Sequence, residues 1–292
     1  MISVQLSHSL PLERNPNEEY FKKNRLHGDW YLSEKYDGIR AIWTGTKLIT
    51  RAKREFSWVP RWFLDKLPQG FPLDGELIVP GVPFGYFSSI SIQKECAEAN
   101  EKWLRVRYFI FDTPICDNPF FNRLNLLKDK INHLDSQIEL VKFTEVNEIK
   151  DGFDILNRMF DNVTKNGGEG VMLVNKMSMY AFGKRSRMSL KYKKIHEGEA
   201  EVIEFCEGTG KYTGILGKLK CKLPNGNTFY CGTGFNDIQR NNYIFTGTGV
   251  VVGNAKGCPK LGDTITYSCM EIISKTGVPR MSVYKGIRVD LN

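Results

Sequence analysis

The sequence predicts an α+β domain followed by a second, all-β domain, and three observations carry that prediction. Helical stripes and short strands alternate as far as Ile195. From Ala200 onward the texture becomes strand after strand. Within that second part, Lys218-Leu219-Lys220-Cys221-Lys222-Leu223 alternates cleanly, meets the turn Pro224-Asn225-Gly226-Asn227 and resumes as Thr228-Phe229-Tyr230-Cys231, a hairpin signature. The chain has 292 residues, enough for two cores. The boundary is expected at 196–199, giving domains of 1–196 and 197–292, the second a small β-barrel.

The elements come in order along the chain. A helix is expected over 58–67, with Pro60 near its start where proline is tolerated. Another over 121–137 places Leu124, Leu127, Ile131 and Leu134 on one stripe. A third over 153–166 carries Leu156, Met159, Phe160 and Val163 and stops at Gly167-Gly168. All three stripes read as core. Strands are expected over 39–43, 47–50, 73–79, 106–111, 171–174 and 190–195. In the second domain they are expected over the 218–231 hairpin, 264–273 and 281–289, with one short helix over 236–243. The link Gly208-Thr209-Gly210 between strands is too short for a long insertion.

Composition narrows the class. A formal net charge of +8 and a pI near 9.0 suit a polyanionic partner. The seven cysteines are scattered, with no Cys-x-x-Cys pair, and read as reduced structural thiols. The N-terminus lacks a basic stretch leading into an apolar core, so no secretory signal is expected. No apolar run approaches the ~20 residues needed to cross a bilayer. A cytoplasmic location and no membrane partner are expected.

The chemistry starts from Glu34-Lys35-Tyr36-Asp37-Gly38-Ile39-Arg40. Lys-x-Asp-Gly alone carries little, being expected by chance in roughly one chain in fifteen of this length. The ordered runs C-terminal to it carry more. Asp74-Gly75-Glu76 heads an apolar strand, and side chains two apart on a strand share a face, so both carboxylates can point into one site. Phe109-Ile110-Phe111-Asp112 ends another strand with an aromatic. Gly167-Gly168-Glu169-Gly170 delivers one carboxylate from a glycine-rich bend. Leu190-Lys191-Tyr192-Lys193 sets two lysines on one strand face, where they repel unless an anion such as a nucleotide phosphate neutralises them.

Together these runs resemble the covalent nucleotidyltransferases, the superfamily of DNA ligases, RNA ligases and mRNA capping enzymes. Within it the chain is most similar to the minimal two-domain ATP-dependent DNA ligases of large DNA viruses and bacteria. Ser33–Ala41, Pro60-Arg61-Trp62-Phe63 and Leu73-Asp74-Gly75-Glu76-Leu77 resemble the minimal bacterial group in particular. The resemblance implies an ATP-grasp-like adenylyltransferase domain followed by an OB-fold. It implies Lys35 as the nucleophile that takes AMP from ATP, and nicked duplex DNA as the partner of a monomeric enzyme. It places the nucleotide against Glu34, Arg40, Glu76, Phe111, Glu169, Lys191 and Lys193, with Phe111 stacked on adenine. It gives Mg²⁺, with Mn²⁺ as a substitute, to Asp74, Glu76 and Glu169; hard cations take oxygen ligands. DNA phosphates fall to Arg51, Lys184, Arg185 and Lys218, since arginine's fork matches phosphate oxygens. Lys220 and Lys222 share the strand face of Lys218. The run from Pro279 to Asp290 resembles the family's last motif loosely, with Met281 where an aromatic or histidine is usual.

Three alternatives stay open on the sequence. An mRNA capping guanylyltransferase shares the Lys-x-Asp-Gly motif, but its last motif usually ends Asp-Lys, where this chain has Asp290-Leu291. RNA ligases often lack a C-terminal OB-fold. A non-catalytic nucleic-acid-binding protein would have had no need to keep Lys35, Glu76, Glu169, Lys191 and Lys193 together. Only 34 residues precede Lys35, which favours ATP over NAD⁺ as the nucleotide donor.

Overall fold

The computed structural model describes residues 2–10, 28–82, 94–115, 117–131, 135–147, 152–269, 271–273 and 276–288. The chain divides into two compact units, Met1–Lys193 and Lys194–Asn292.

The first unit is built on two five-stranded sheets. One runs, in spatial order, β1 (Leu6–Ser9), β10 (Arg185–Lys193), β9 (Gly170–Asn175), β2 (Trp30–Lys35) and β8 (Thr144–Val146). The other runs β4 (Leu48–Thr50), β3 (Ile39–Trp43), β5 (Leu73–Ile78), β6 (Arg107–Asp112) and β7 (Ile138–Leu140). Each sheet buries one face against helices. Trp43, Leu73, Leu77, Tyr108 and Ile110 of the second sheet pack with Phe63 of α1 (Arg61–Leu64), Trp103 of α2 (Ala97–Leu104) and Leu127 and Ile131 of α3 (Phe120–Ile131). Trp30, Leu32, Val171, Leu173, Leu190 and Tyr192 of the first sheet pack with Leu156 of α4 (Phe153–Lys165). Alternation then turns the residues between them to the other face.

A buried ion pair pins α3 to β6. Arg123 donates Nε to Asp112 Oδ1 at 2.7 Å and Nη2 to Oδ2 at 2.9 Å, and Nη1 reaches the carbonyls of Asn118 and Ser178. Burial pushes the Asp112 carboxyl up from its usual value, and the Arg123 guanidinium opposes that shift.

The second unit carries the sheet β13 (Thr228–Cys231), β12 (Leu216–Lys222), β11 (His196–Glu207), β16 (Thr264–Cys269) and β19 (Val283–Ile287), in that order. Between the last two in sequence, β17 (Glu271–Ile272) and β18 (Pro279–Arg280) form a short antiparallel pair. The expected barrel is not a closed ladder. The edge strands meet at one parallel bridge, Thr233 to Val283, with Tyr284 N–H donating to the Thr233 carbonyl at 2.8 Å. Cys221, Cys231, Leu219, Phe229 and Tyr267 belong to the unit's buried core. A small hairpin, β14 (Tyr243–Thr246) with β15 (Gly249–Val252), follows the short helix α5 (Asp237–Asn241), which has a capping box at Asn236 and Gln239.

Several elements depart from expectation. The helix expected over 58–67 is a single turn, because Pro60 holds an extended ψ of 137° and serves as its N-cap. Helix α2 was not expected, since among its described side chains only Ala99 and Trp103 are buried and the stripe is too thin to read. Strand β2 was not expected either. Trp30 and Leu32 point inward, but the polar run after Leu32 reads as a loop. Strands β1, β7 and β8 were missed as well. Strand β10 starts at Arg185, five residues before the expected 190. The link from β11 to β12 is indeed short, a 3-10 turn at Gly210–Tyr212. Leu134, Met270, Val289, Asp290 and Leu291 lie outside the described residues.

Arg123→Met leaves Asp112 buried without a counter-charge. It is expected to cost about 3–5 kcal/mol, seen as a lower urea midpoint with an unchanged slope.

Candidate active site

Lys35 ends β2, and its register places it opposite Gly170 of β9; Gly170 is in turn opposite Lys193 of β10. One line across three strands therefore holds the expected nucleophile, the glycine after Glu169 and the second lysine of the pair. The line closes only because Gly170 lacks a side chain: its φ is +150°, and a Cβ there would sit 2.2 Å from the Tyr192 carbonyl oxygen. Tyr192 turns away and packs on Phe160 of α4, with ring centroids 4.5 Å apart, so Lys191 and Lys193 face the opposite side. Gly38 has a similar steric cause, since a Cβ would meet the Leu77 carbonyl at 2.3 Å. The turn after Lys35 is fixed by Tyr36, stacked on Phe109 at 4.3 Å.

Glu169 lies between two ammonium groups. Lys35 Nζ donates to Oε2, and Lys193 Nζ donates to Oε1 at 3.0 Å. Burial alone would raise the Glu169 carboxyl, but the two lysines outweigh it and hold it below the usual range. Burial, with Lys193, Lys35 and Arg185 nearby, lowers the Lys191 ammonium.

The second sheet supplies the facing wall. Arg40 and Glu76 are register partners on β3 and β5, and Glu76 faces Phe109 on β6. Burial pushes the Glu76 carboxyl up to about 7, opposed chiefly by Lys35 and Arg40. The Arg40 guanidinium lies 5.2 Å from the centroid of the Phe111 ring.

These groups surround one pocket of about 310 Å³, lined by Glu34, Lys35, Arg40, Arg51, Glu76, Phe111, Glu169, Arg185, Lys191 and Lys193 among others. Three expected site residues fall elsewhere. Asp74 is fully buried and outside the pocket lining; Arg40 Nε and Nη2 and the Tyr180 hydroxyl all donate to its carboxylate. The expectation that it shares the metal site with Glu76 is therefore corrected: the geometry gives it to Arg40. Lys184 is exposed outside the lining, and Lys218 belongs to the second unit. Arg288, of the loosely matching C-terminal run, is paired with Glu199.

Some lining residues escaped the sequence reading. Met172 and Val174 could have been found, because Val171 and Leu173 are core and alternation turns Met172 to the pocket. Gln5 and Tyr180 left no local signal; each reaches the pocket from a segment far away in sequence.

The chain is similar to known proteins over both units. Residues 15–193 match the ATP dependent DNA ligase domain, and residues 207–288 match the DNA ligase OB-like domain. The chain belongs to the ATP-dependent DNA ligases. A DNA ligase of Haemophilus influenzae is 30% identical over 256 residues, covering 87% of this chain and 85% of that protein. A DNA ligase of Methanothermobacter thermautotrophicus is 24% identical over 209 residues, 65% of this chain but 37% of that protein. Among solved structures, a Lig E DNA ligase described as binding DNA with a minimal scaffold superimposes with a TM-score of 0.77 at 27% identity. That match covers 99% of this chain and all of the other. A Chlorella virus DNA ligase-adenylate, 20% identical with a TM-score of 0.51, shares the fold. The enzyme is thus an ATP-dependent ligase with a nucleotidyltransferase domain and an OB-like domain, and nick sealing is the general function of its family. The capping-enzyme, RNA-ligase and non-catalytic readings fall away.

The folded ligase holds the Glu76 proton to about pH 7, whereas the unfolded chain releases it near 4.5, so stability falls as pH rises through that window. In Glu76→Gln this part of the decline is expected to vanish. Urea midpoints across the same pH range, taken without nucleotide, check it.

Proposed function

We propose that this ligase seals 5′-phosphate/3′-hydroxyl nicks in duplex DNA through a Lys35-AMP intermediate. The observation that carries the reading is Lys35 Nζ held by Glu169 inside a pocket walled by Lys191, Lys193 and Arg40. In the first step the Lys35 amine, its proton released to solvent, attacks the α-phosphorus of ATP. The bond to the pyrophosphate oxygen breaks, and a phosphoramidate and pyrophosphate result. Lys191 and Lys193 take the α-phosphate charge as it builds, while Phe111 and Met172 offer flat and polarisable surfaces to adenine. Glu34 and Glu76 serve the nucleoside end. AMP then passes to the 5′-phosphate of the nick, and the 3′-hydroxyl displaces it. Arg51 and Arg185, both exposed at the pocket rim, are assigned to the nick phosphates, with Lys184 beyond them.

The donors fit a hard divalent ion. Glu76 and Glu169 offer oxygen only, and no His or Cys lines the pocket among the described residues. No group of three acidic, His or Cys side chains forms a cage among those residues. Two carboxylates, waters and phosphate oxygens are the donor set Mg²⁺ prefers, and Mn²⁺ accepts the same. When bound, the ion would neutralise phosphate charge.

In the second unit, Lys218, Lys220 and Lys222 share the outer face of β12 and are assigned to the duplex backbone. Lys218 sits 4.0 Å from the Tyr230 ring centroid, and Lys220 pairs with Glu204 at 3.0 Å, so Lys218 and Lys222 carry more of that contact. The ligase is read as a monomer acting in the cytoplasm, where the six described free thiols stay reduced.

Incubation with Mg²⁺ and α-labelled ATP is expected to give an acid-labile protein adduct, absent in Lys35→Ala while its unfolding midpoint is kept. Label from GTP alone, or label persisting in Lys35→Ala, would overturn the assignment. Affinity for nicked duplex is expected to fall roughly 10³-fold or more between 50 and 200 mM salt, measured by fluorescence anisotropy. A flat salt profile would contradict backbone contacts by these lysines and arginines.

A further inference from the structure

The two sheets of the first unit are tied together at the pocket by Tyr180, which lies outside the motif runs singled out in the sequence. Tyr180 lies between β9 and β10, is 6% exposed, and donates its hydroxyl to Asp74 Oδ2 at 2.5 Å. Asp74, on the other sheet, spends both oxygens on Arg40: Oδ1 accepts from Nε at 2.9 Å and Oδ2 from Nη2 at 2.6 Å. A third bond, from Arg40 Nη1 to the Gln5 carbonyl at 2.7 Å, comes from the segment leading into β1. The fork is thus held by residues of both sheets, and its charge lies over Phe111.

The tyrosine is itself fixed. Its ring lies 5.6 Å from the Arg123 guanidinium and packs against Phe182 at 4.8 Å. Arg123 also binds the Ser178 carbonyl, two residues before Tyr180, and the Asp112 carboxylate, which is next to Phe111 in the chain. One chain of contacts therefore runs from the wall that bears Phe111, through Arg123 and Tyr180, to Asp74 and Arg40.

We propose that Tyr180 is a positioning residue for adenylyl transfer, its hydroxyl fixing the Asp74 carboxylate and through it the Arg40 fork. A guanidinium has five N–H donors in a rigid plane. Three are used here, and the plane that the other two share is set by the carboxylate. Remove the hydroxyl, and that carboxylate keeps its bidentate partner but loses the bond that ties it to the Lys35 sheet. A displacement of about 1 Å between a phosphate ligand and the nucleophile is enough to slow a transfer step about a hundredfold.

This role rests on the ligase reading, so the reporter is Lys35 adenylylation itself, followed in a single turnover with α-labelled ATP. Four proteins are compared: unmodified, Tyr180→Phe, Arg40→Lys, and the double variant. Tyr180→Phe keeps the ring against Arg123 and removes only the hydroxyl. At saturating ATP its rate is expected to fall roughly tenfold, the effect of losing one bond to a charged group. The ATP concentration giving half the maximal rate is expected to stay unchanged, with unfolding still cooperative and the melting temperature lower by several degrees. In the Arg40→Lys background the same substitution is expected to change the rate less than twofold, because the fork it positions is gone. An unchanged rate in Tyr180→Phe, or an equal tenfold loss in both backgrounds, overturns the role. Should Tyr180→Phe show no cooperative unfolding, Asp74→Asn replaces it in the same cycle, with the same coupling expected and additivity again decisive against it. If the unmodified protein takes no label, the ligase reading fails and this role with it; label there with additive losses removes the role alone.

Discussion

The carboxylate of Glu169 between two ammonium groups is the interaction on which the rest of the first unit depends. Lys35, Lys191 and Lys193 converge on one pocket, and three like charges at that range oppose folding unless an anion divides them. Glu169 supplies one negative charge, placed by the glycine-rich bend ahead of β9 and bonded to Lys35 and Lys193. The lysines and arginines that line the pocket still outnumber its carboxylates. Stability and the proposed substrate preference therefore draw on one arrangement: Glu169 lets the folded protein tolerate the lysines, and the positive excess that remains suits the polyanion proposed as substrate.

The two sheets divide the work. The first brings Lys35, the lysine proposed as nucleophile, together with Lys191 and Lys193, each set by strand register. The second brings Glu76, Phe111 and the braced Arg40. Two ion pairs brace the second wall: Arg40–Asp74, whose arginine reaches the pocket while its aspartate stays buried behind, and Arg123–Asp112. Breaking either leaves a buried charge, so the wall is stiff where the pocket needs a fixed surface.

The sequence made most of the site legible because its chemistry is written in strand-borne motifs, where a period of two decides which side chains share a face. Lys191 and Lys193 obey that rule, with Leu190 and Tyr192 buried behind them. The same rule misled at Asp74. It and Glu76 share a face by alternation, yet buried donors from Arg40 and Tyr180 claim its oxygens, and no local pattern shows a partner 106 positions away. Strand β2 was hidden because a site-facing strand end is polar and resembles a loop. The barrel was overdrawn because a hairpin pattern reports pairing between neighbours and not whether the edge strands meet.

Gly170 has a consequence of an evolutionary kind. Three backbones converge there, and every codon change that alters the residue adds a carbon where the Tyr192 carbonyl already stands. No single step leads away from glycine without moving β10 and the lysines it bears. Drift in a lineage of such enzymes must go around this position, through the helices and the outer faces of the sheets, while the three-strand crossing stays as it is.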